Sequence, residues 1–348
     1  MKFHAIGLMS GTSLDGLDIC YASFERSSDA WKFEILQAET INYSKNWEEK
    51  LRNSFKLSAS ELMELHSEYG FFLGKEVKSF NDKYKIEQLD VIASHGHTVF
   101  HQPKKKFTTQ IGDGRAINIL NQIPVVYDFR SQDVLMGGNG APLVPIGDHW
   151  LFSAFNSCLN LGGFSNISFN ENGKRIAFDI CPVNIVLNKF AQDLGKSFDE
   201  EGNIARSGMV NQHILEKLNN LEFYKEVPPR SLGVEFVNAQ IFPLLNGLSI
   251  EDSIATFTHH AAEKIAEIAN QFQLKNMLLT GGGVYNNFLI ELIRSKSTTE
   301  IITPEKNIIE FKESLIFAFM GVLRINNENN VLSSATGSLE DHCSGLLV

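Results

Sequence analysis

Apolar and polar positions alternate along the first part of the chain in a way that predicts paired strands. One apolar run spans 3–9, a second spans 17–24 and a third spans 31–41, with small and polar residues between the first two. Short apolar runs separated by a turn are typical of neighbouring strands. The sequence therefore predicts a strand, a turn and a strand, followed by a third strand.

A helix and a further strand follow these strands. Ser58 and Glu61 have the spacing of a capping box, which marks the start of a helix. The apolar residues after it recur at helical spacing: Leu62, Leu65, Tyr69, Phe72, Val77 and Phe80. The apolar run 89–94 then predicts a short buried strand.

The same order of elements recurs in the middle of the chain. Strands are predicted at 158–161, 164–169, 175–178 and 277–279, and helices near 184–194, 209–218, 252–272 and from about 286. Because strands and helices alternate, the predicted fold class is α/β. Two similar halves suggest a duplicated fold that closes on a ligand between them.

Length, charge and cysteine content narrow the function classes. A chain of 348 residues is long enough for two domains, and its formal charge of −10 argues against non-specific binding to nucleic acid or an acidic membrane. The four cysteines lack metal-site or disulfide spacing and read as reduced thiols. No signal peptide is recognised and no apolar run approaches the ~20 residues of a membrane span, so a cytoplasmic location is predicted.

Three glycine-bearing turns, at 10–16, 160–166 and 280–284, follow predicted strands. Glycine lets backbone N–H groups approach phosphate oxygens, and in the first turn Thr12 and Ser13 add hydroxyl donors while Asp15 can face a divalent metal through water. An ordinary glycine-rich hairpin is the alternative. Gly195 resembles the end of a P-loop, but Phe190 stands where the first glycine is needed, so nucleotide binding requires a different fold.

Two acidic residues and one arginine are candidates for chemistry. Asp179 follows an apolar strand, where its carboxylate could take a proton from water or cap the next helix. Arg130 could bind a carboxylate or phosphate through its forked N–H groups, or pair with Asp128. Glu313 lies among mostly apolar residues, so it is either half-exposed at a helix start or functional.

Three histidines lie close together in the sequence. His95, His97 and His101 fall within seven residues, and the first two are predicted to share one face of a strand. Without a clear carboxylate or cysteine companion, this spacing favours polar contacts to a substrate over a zinc site.

Taken in order, these segments resemble the anhydro-N-acetylmuramic acid kinases of the sugar kinase, actin and heat-shock chaperone ATPase superfamily. The resemblance extends over the whole chain. It runs through 7–18, 94–98, 110–113, 128–133, 137–145, 160–166, 178–184, 280–283, 313–318 and 334–337.

The resemblance implies two RNase H-like domains around a nucleotide and substrate cleft, the first from 1–130 plus about 335–348 and the second from 131–334. It also implies a reaction in which ATP, water and 1,6-anhydro-N-acetylmuramic acid give N-acetylmuramic acid 6-phosphate and ADP, in cell-wall recycling. The expected cofactors are ATP and Mg²⁺, and the partner is a small amino sugar. A homodimer is common among such proteins.

The resemblance also implies roles for individual residues. Asp179 is the expected base and Glu313 is expected near the phosphates and metal-bound water, with Asp15 in the outer shell of the metal. The expected nucleotide-binding residues are Gly11, Thr12, Ser13, Asp15, Gly16, Asp18, Gly162, Gly163, Gly281, Gly282 and Gly283. The expected sugar-binding residues are His95, Gly96, Thr98, Arg130 and Asn184.

The chain departs from the family pattern near the expected sugar pocket. The usual Asp-Thr-Gly-Pro-Gly-Asn run here contains Ile180, Cys181 and Val183, while Asn188 replaces an Asp and His97 replaces a Gln. The glycine turns are intact. Two other functions therefore stay open: a kinase for another amino sugar, and a non-catalytic nucleotide-dependent clamp that binds a sugar or a protein.

Overall fold

Two sheets and a separate hairpin contain the strands of the computed structural model, which describes residues 1–11, 14, 16–27, 30–228 and 230–348. The strands are β1 (Lys2–Ser10), β2 (Leu17–Ser27), β3 (Ala30–Ile41), β4 (Val91–Ser94), β5 (His97–Gln102), β6 (Phe107–Ile111), β7 (Val125–Tyr127), β8 (Ser157–Leu161), β9 (Phe164–Glu171), β10 (Lys174–Pro182), β11 (Asn276–Thr280), β12 (Glu300–Ile302) and β13 (Leu346–Leu347).

Helices alternate with these strands. The α-helices are α1 (Lys45–Asn53), α2 (Ala59–Tyr84), α3 (Gly114–Asn121), α4 (Ser131–Leu135), α5 (Pro145–Trp150), α6 (Asn184–Asp193), α7 (Asn203–Ser207), α8 (Gln212–Asn219), α9 (Val234–Phe236), α10 (Phe242–Leu245), α11 (Ile250–Gln271), α12 (Asn287–Lys296), α13 (Lys306–Ile325) and α14 (Ser333–Thr336). Short 3₁₀ helices span Ser54–Lys56, Pro103–Lys105, Glu200–Gly202, Glu222–Lys225 and Gly282–Tyr285, and a π-helical turn spans Val237–Ile241. Within the described residues, no helix has both the length and the apolar character that crossing a membrane requires.

The two sheets repeat one strand order. In the first, β13-β7-β4-β1-β2-β3, an antiparallel meander of three strands is extended by β4 parallel to β1 and β7 parallel to β4. In the second, β10-β9-β8-β11-β12, the same meander is extended by β11 parallel to β8 and β12 parallel to β11. This repeated topology confirms the predicted α/β class with two RNase H-like domains.

The chain divides into two compact units whose limits differ from the predicted domain boundaries. Unit 1 comprises Met1–Phe152 and Phe311–Val348, and unit 2 comprises Ser153–Glu310. The predicted boundaries lie at 130/131 and 334/335. The unit limits differ from them because residues 131–152 and 311–334 pack within unit 1. A buried ion pair joins Lys312 to Asp148 at 2.7 Å, and Thr336 donates a hydrogen bond to Asp133 at 2.7 Å.

One long amphipathic helix covers each core. In unit 1, α2 begins at the predicted capping box and buries Leu65, Tyr69 and Val77 against the apolar face that includes Ile6 and Leu8. In unit 2, α11 buries a similar stripe, including Ile254, Phe257 and Ile265, and contacts β10. Both helices match the predicted apolar periodicity. Their buried faces pack against the two sheets that position the candidate site.

Candidate active site

Gly96 separates the two histidines that the sequence placed on one strand. Strand β4 ends at Ser94 and β5 begins at His97, and Gly96 between them has φ of +72°. A Cβ on Gly96 would lie 2.6 Å from the carbonyl oxygen of Ile111. The prediction that His95 and His97 share a strand face is therefore wrong, because the backbone turns between them in a conformation that favours glycine.

Arg130 and His95 form a buried polar contact in unit 1. The Nε of Arg130 donates to Nε2 of His95 at 2.9 Å, and Nδ1 of His95 lies 2.9 Å from the Gly96 carbonyl oxygen. Because Nε2 accepts a hydrogen bond, the imidazole is neutral and carries its proton on Nδ1. Burial, and next the charge of Arg130, hold the pKa of His95 well below its ordinary value.

The alternative in which Arg130 pairs with Asp128 is not what the structure shows. Asp128 accepts hydrogen bonds from the backbone and hydroxyl groups of Ser131, the latter at 2.6 Å. Arg130 instead donates to the Gly140 carbonyl oxygen at 2.5 Å. Its guanidinium is therefore held by a histidine and a carbonyl group, neither of which neutralises its charge.

Glu313 contributes a carboxylate to the surroundings of Arg130. Burial raises the pKa of Glu313, whereas the charges of Arg130 and Lys312 lower it. Burial likewise lowers the pKa of Arg130 to about 10, opposed by Glu313 and Asp133. Unit 1 thus brings together three predicted site residues, His95, Arg130 and Glu313, as one partly compensated charge cluster.

A chain of hydroxyl groups orients His97. The hydroxyl of Tyr43 lies 2.6 Å from that of Tyr69 and donates to Ser10 Oγ at 2.8 Å, and Ser10 Oγ lies 3.1 Å from Nδ1 of His97. Because Tyr43 already donates to Ser10, the Ser10 proton points to Nδ1, which leaves the His97 proton on Nε2. Burial lowers the pKa of His97 to about 4. Sequence reasoning did not identify Tyr43 and Tyr69 as part of the site, since from the sequence they are ordinary core aromatic residues.

The first glycine turn lies only partly within the described residues. Thr12, Ser13 and Asp15, predicted to bind phosphate and metal, lie outside them. Gly11 accepts a backbone hydrogen bond from Leu14 at 3.3 Å, and a Cβ on Gly16 would lie 2.7 Å from the carbonyl oxygen of Ile41. The predicted ligands Asp18 and Thr98 accept hydrogen bonds within unit 1, from Thr40 at 2.5 Å and from Gln110 at 3.3 Å.

Asp179 lies inside a strand of unit 2 and not at its end. Strand β10 continues to Pro182, with a bulge between Asp179 and Cys181. One carboxylate oxygen of Asp179 accepts from the backbone N–H of Leu232 at 2.8 Å. The helix-cap alternative is excluded, since Val183 occupies the cap position of α6.

Burial controls the proton affinity of Asp179. It raises the pKa of the carboxyl group, opposed by the hydrogen bonds from the Leu232 backbone and the Ser231 side chain. A carboxylate in such surroundings accepts a proton more readily than an exposed aspartate and is still held in one orientation. This is the environment expected of a general base.

The second and third glycine turns meet beside α6. The carbonyl groups of Gly162 and Gly163 accept from the first N–H groups of that helix, and Asn184 donates from its side chain to the Leu161 carbonyl oxygen at 3.1 Å. A Cβ on Gly283 would lie 2.8 Å from Cβ of Leu161. Unit 2 thus brings together Gly162, Gly163, Asn184 and Gly283.

A cavity of about 600 Å³ opens next to this junction within unit 2. Its lining includes Asn184, Asn188, Gly282, Gly283 and Tyr285. Cavities of this size accept drug-sized ligands. Asn184, predicted to contact the sugar, therefore shares a cavity wall with two glycines predicted to contact the nucleotide, and its role stays a prediction.

A sequence model described as anhydro-N-acetylmuramic acid kinase matches residues 3–348. The chain belongs to the anhydro-N-acetylmuramic acid kinase family. Curated relatives with that name include proteins of Bacillus cereus (strain G9842), 32% identical over 95% of each chain, and of Francisella tularensis subsp. novicida (strain U112), 30% identical over 96% of each chain. The solved (R)-2-hydroxyglutaryl-CoA dehydratase component A of Acidaminococcus fermentans matches with a TM-score of 0.46 and 13% identity, over 92% of this chain and 97% of that one.

Family membership confirms the predicted enzyme class. The chain is an ATP-dependent kinase that acts on a small sugar, and nothing in the comparisons favours the non-catalytic clamp or a kinase for another amino sugar. The predicted anhydro-N-acetylmuramic acid kinase function is supported in the same way.

The departures from the family motif have a structural explanation. Ile180, Cys181 and Val183 are all buried in the core of unit 2. Cys181 Sγ lies 3.2 Å from Ser165 Oγ, and the Cys181 backbone N–H donates to the same hydroxyl at 3.1 Å. These three side chains are therefore part of the core, where Cys181 contacts Ser165 of β9 and the Ala261 carbonyl group of α11.

Proposed function

We propose that this family member uses ATP and water to open the 1,6-anhydro ring of anhydro-N-acetylmuramic acid and to phosphorylate O6, with Asp179 as the base. The assignment rests on the surroundings of the Asp179 carboxylate. The Leu232 N–H holds the carboxylate in one orientation, and burial raises its pKa. A base of this kind is needed because the nucleophile is water.

Apart from the proton transfer to Asp179, the proposed reaction forms two bonds and breaks two. Asp179 takes a proton from water as the water oxygen bonds to C1, the C1–O6 bond breaks, and O6 bonds to the γ-phosphorus while the bond to ADP breaks. Phosphorus traps the departing O6, so no separate general acid is required, in contrast to inverting glycoside hydrolases. The proton taken by Asp179 is then released to solvent.

Residues of unit 1 are assigned to phosphate and sugar. Arg130 keeps its positive charge beside Glu313 and His95, which suits it to an anionic group such as the transferred phosphoryl. His95 and His97 are neutral in the bonding pattern described above, so neither adds charge, and His95 uses both of its ring nitrogens to hold Arg130 and the Gly96 carbonyl group.

The magnesium assignment rests on the chemistry of the ion. Among the described residues, no group of three or more His, Cys, Asp or Glu side chains is arranged to hold a metal. Mg²⁺ in kinases keeps several waters and takes one or two carboxylates together with substrate phosphates, so Glu313 fits this need and Asp15 is retained as a predicted outer-shell group. The bound ion would neutralise charge on the phosphates. The cytoplasmic location and the homodimer stay predictions.

We assign the nucleoside of ATP to the cavity in unit 2. Gly282 lines this cavity, and a Cβ built on it would meet no atom within 4 Å. Gly282→Val should therefore fold normally but project methyl groups into the space for the nucleotide. We expect the Kd for ATP to rise by at least about tenfold, the size of effect that displaced ligand contacts produce.

Calorimetry of ATP binding would test this expectation, with the thermal midpoint of the nucleotide-free protein as the control for folding. Gly282→Ala should give a smaller loss. An unchanged Kd for ATP in Gly282→Val would exclude the assignment of the nucleoside to this cavity.

The overall proposal is tested with ATP, magnesium and 1,6-anhydro-N-acetylmuramic acid in oxygen-18 water. Mass spectrometry should show one heavy oxygen at C1 of the phosphorylated product under initial-rate conditions, because water supplies that oxygen. A phosphorylated product without label would indicate attack on an ordinary open hydroxyl, and absence of any product with ATP bound would favour the non-catalytic clamp.

A further inference from the structure

A short backbone segment, 230–232, holds Asp179 from two sides. The Arg230 carbonyl oxygen accepts from the Asp179 N–H at 3.0 Å, and the Leu232 N–H donates to the Asp179 carboxylate at 2.8 Å. The Ser231 side chain also hydrogen-bonds to this carboxylate. The orientation of the proposed base is therefore set by a segment more than fifty residues away in sequence.

This segment belongs to neither a helix nor a strand. Residues 230–233 lie between the 3₁₀ turn Glu222–Lys225 and helix α9. Backbone without a regular hydrogen-bond ladder needs other contacts to stay in place. The contacts in this case come from the side chain of Arg230.

The guanidinium of Arg230 donates hydrogen bonds to four carbonyl groups, one of which is that of Asp179 itself, 3.4 Å from Nε. Its Nη1 donates to Phe223 and Tyr224 at 3.2 Å each and to Glu226 at 3.1 Å. The guanidinium carbon also lies 4.7 Å from the ring centre of Phe223, a cation–π distance. One side chain thus ties the segment that holds Asp179 to the end of the preceding 3₁₀ turn.

We propose that Arg230 is a positioning residue, whose guanidinium keeps 230–232 in place so that the Leu232 N–H presents the Asp179 carboxylate to the attacking water. The proposal rests on the proposed function of Asp179 as the base. Arg230 itself is assigned no contact with substrate. Its contribution is to the geometry of the proton acceptor, where a displacement of ~1 Å costs about 100-fold in rate.

Arg230→Met removes the donors but keeps a long side chain. We expect kcat to fall by about 100-fold, with KM for ATP within about twofold of its original value, because the orientation of the base changes and the nucleotide cavity does not. Arg230→Lys keeps a cation within reach of the carbonyl groups and should recover activity to within about tenfold of the wild-type protein.

The structure also allows chemical rescue. A cavity of about 160 Å³ next to Arg230 is lined by Tyr224, Glu226, Lys264 and Glu267. Arg230→Ala would enlarge it, giving a guanidinium ion room to occupy the site of the lost group. Millimolar guanidinium, well below denaturing concentrations, should then raise kcat of Arg230→Ala by about tenfold or more and leave wild-type kcat unchanged.

Arg175→Met is the matched control, since Arg175 is a buried arginine on β10, the strand that carries Asp179, and donates to Ser168 of β9. This variant is expected to lose stability with kcat retained. An unchanged kcat in folded Arg230→Met would overturn the proposal, and so would a loss that neither Arg230→Lys nor guanidinium restores. Activity retained by Asp179→Asn would instead overturn the assignment of the base, so the two failures are distinguishable.

Discussion

Asp179→Asn is expected to reduce turnover by about 10⁴-fold, which is the upper range of what a positioned general base contributes. The affinity for ATP should stay nearly unchanged. The amide has the size of the carboxylate, and its oxygen can still accept from the Leu232 N–H. The variant therefore preserves the geometry of β10 and removes only the ability to accept a proton from water.

Single-turnover formation of sugar phosphate, together with calorimetric titration of ATP, would measure the two effects separately. Product formation at more than about a tenth of the wild-type rate would exclude Asp179 as the base, because removal of a base costs at least about 100-fold. Weak ATP binding would point to a damaged fold, which a thermal unfolding scan would detect.

The pH dependence of kcat follows from the same carboxyl group. Burial raises the pKa of Asp179, and only the deprotonated form accepts a proton. Activity is therefore present above this raised pKa and is lost as the pH falls through it. The acid limb of the kcat profile should lie above the ordinary range of an exposed aspartate.

Gly7→Ala is expected to have the largest effect on stability, lowering the free energy of unfolding by about 3 kcal/mol. Gly7 lies in β1 where α13 crosses the strand, and a Cβ there would lie 2.6 Å from the Ala318 backbone nitrogen and closer still to the Ser314 carbonyl oxygen. Both obstacles are backbone atoms, so no side-chain rotation relieves the overlap. The helix that carries Glu313 would have to move away from the sheet.

Urea unfolding of the nucleotide-free protein would measure this loss. Gly163→Ala is the matched control for stability, because a Cβ there would meet only Ile185 at an ordinary 3.8 Å. We expect this control to unfold within about 1 kcal/mol of wild type, as for a substitution without overlap. A similarly small change in Gly7→Ala would show that α13 has room to adjust.

Local patterns in the sequence were sufficient for the long helices and for strands β1–β4 and β8–β11, but not for β5, β6, β7, β12 and β13. Apolar spacing identified α2 and α11, and the capping box at Ser58 gave the start of α2 to the residue. These features depend on neighbours three to four residues apart, which is the range that a single sequence reveals. The predicted domain limits do not coincide with the limits of the two compact units, and α13 runs without a break through the position where unit 2 ends and unit 1 resumes.

The contacts of the candidate site could not be read from local patterns. Arg130 meets His95 across 35 positions, and Leu232 meets Asp179 across 53. Such pairs arise from the order of strands in the sheets and the path of an irregular segment, neither of which leaves a periodic signal. Sequence reasoning therefore proposed Asp179 as a candidate base but not Arg230, whose side chain donates to carbonyl groups of an irregular stretch nearby and to that of Asp179, 51 positions away.

The interrupted sequence of unit 1 sets an order for folding during synthesis. Residues 153–310 of unit 2 leave the ribosome as one stretch, whereas unit 1 awaits residues 311–348. Until α13 emerges, Phe24 and Trp31 lack Phe319, whose ring centre lies 5.4 and 5.2 Å from theirs in the folded protein. At about 5–20 residues per second this delay lasts many seconds. The nascent chain thus carries an uncovered aromatic surface until α13 is made, and that interval is when it most needs protection from aggregation.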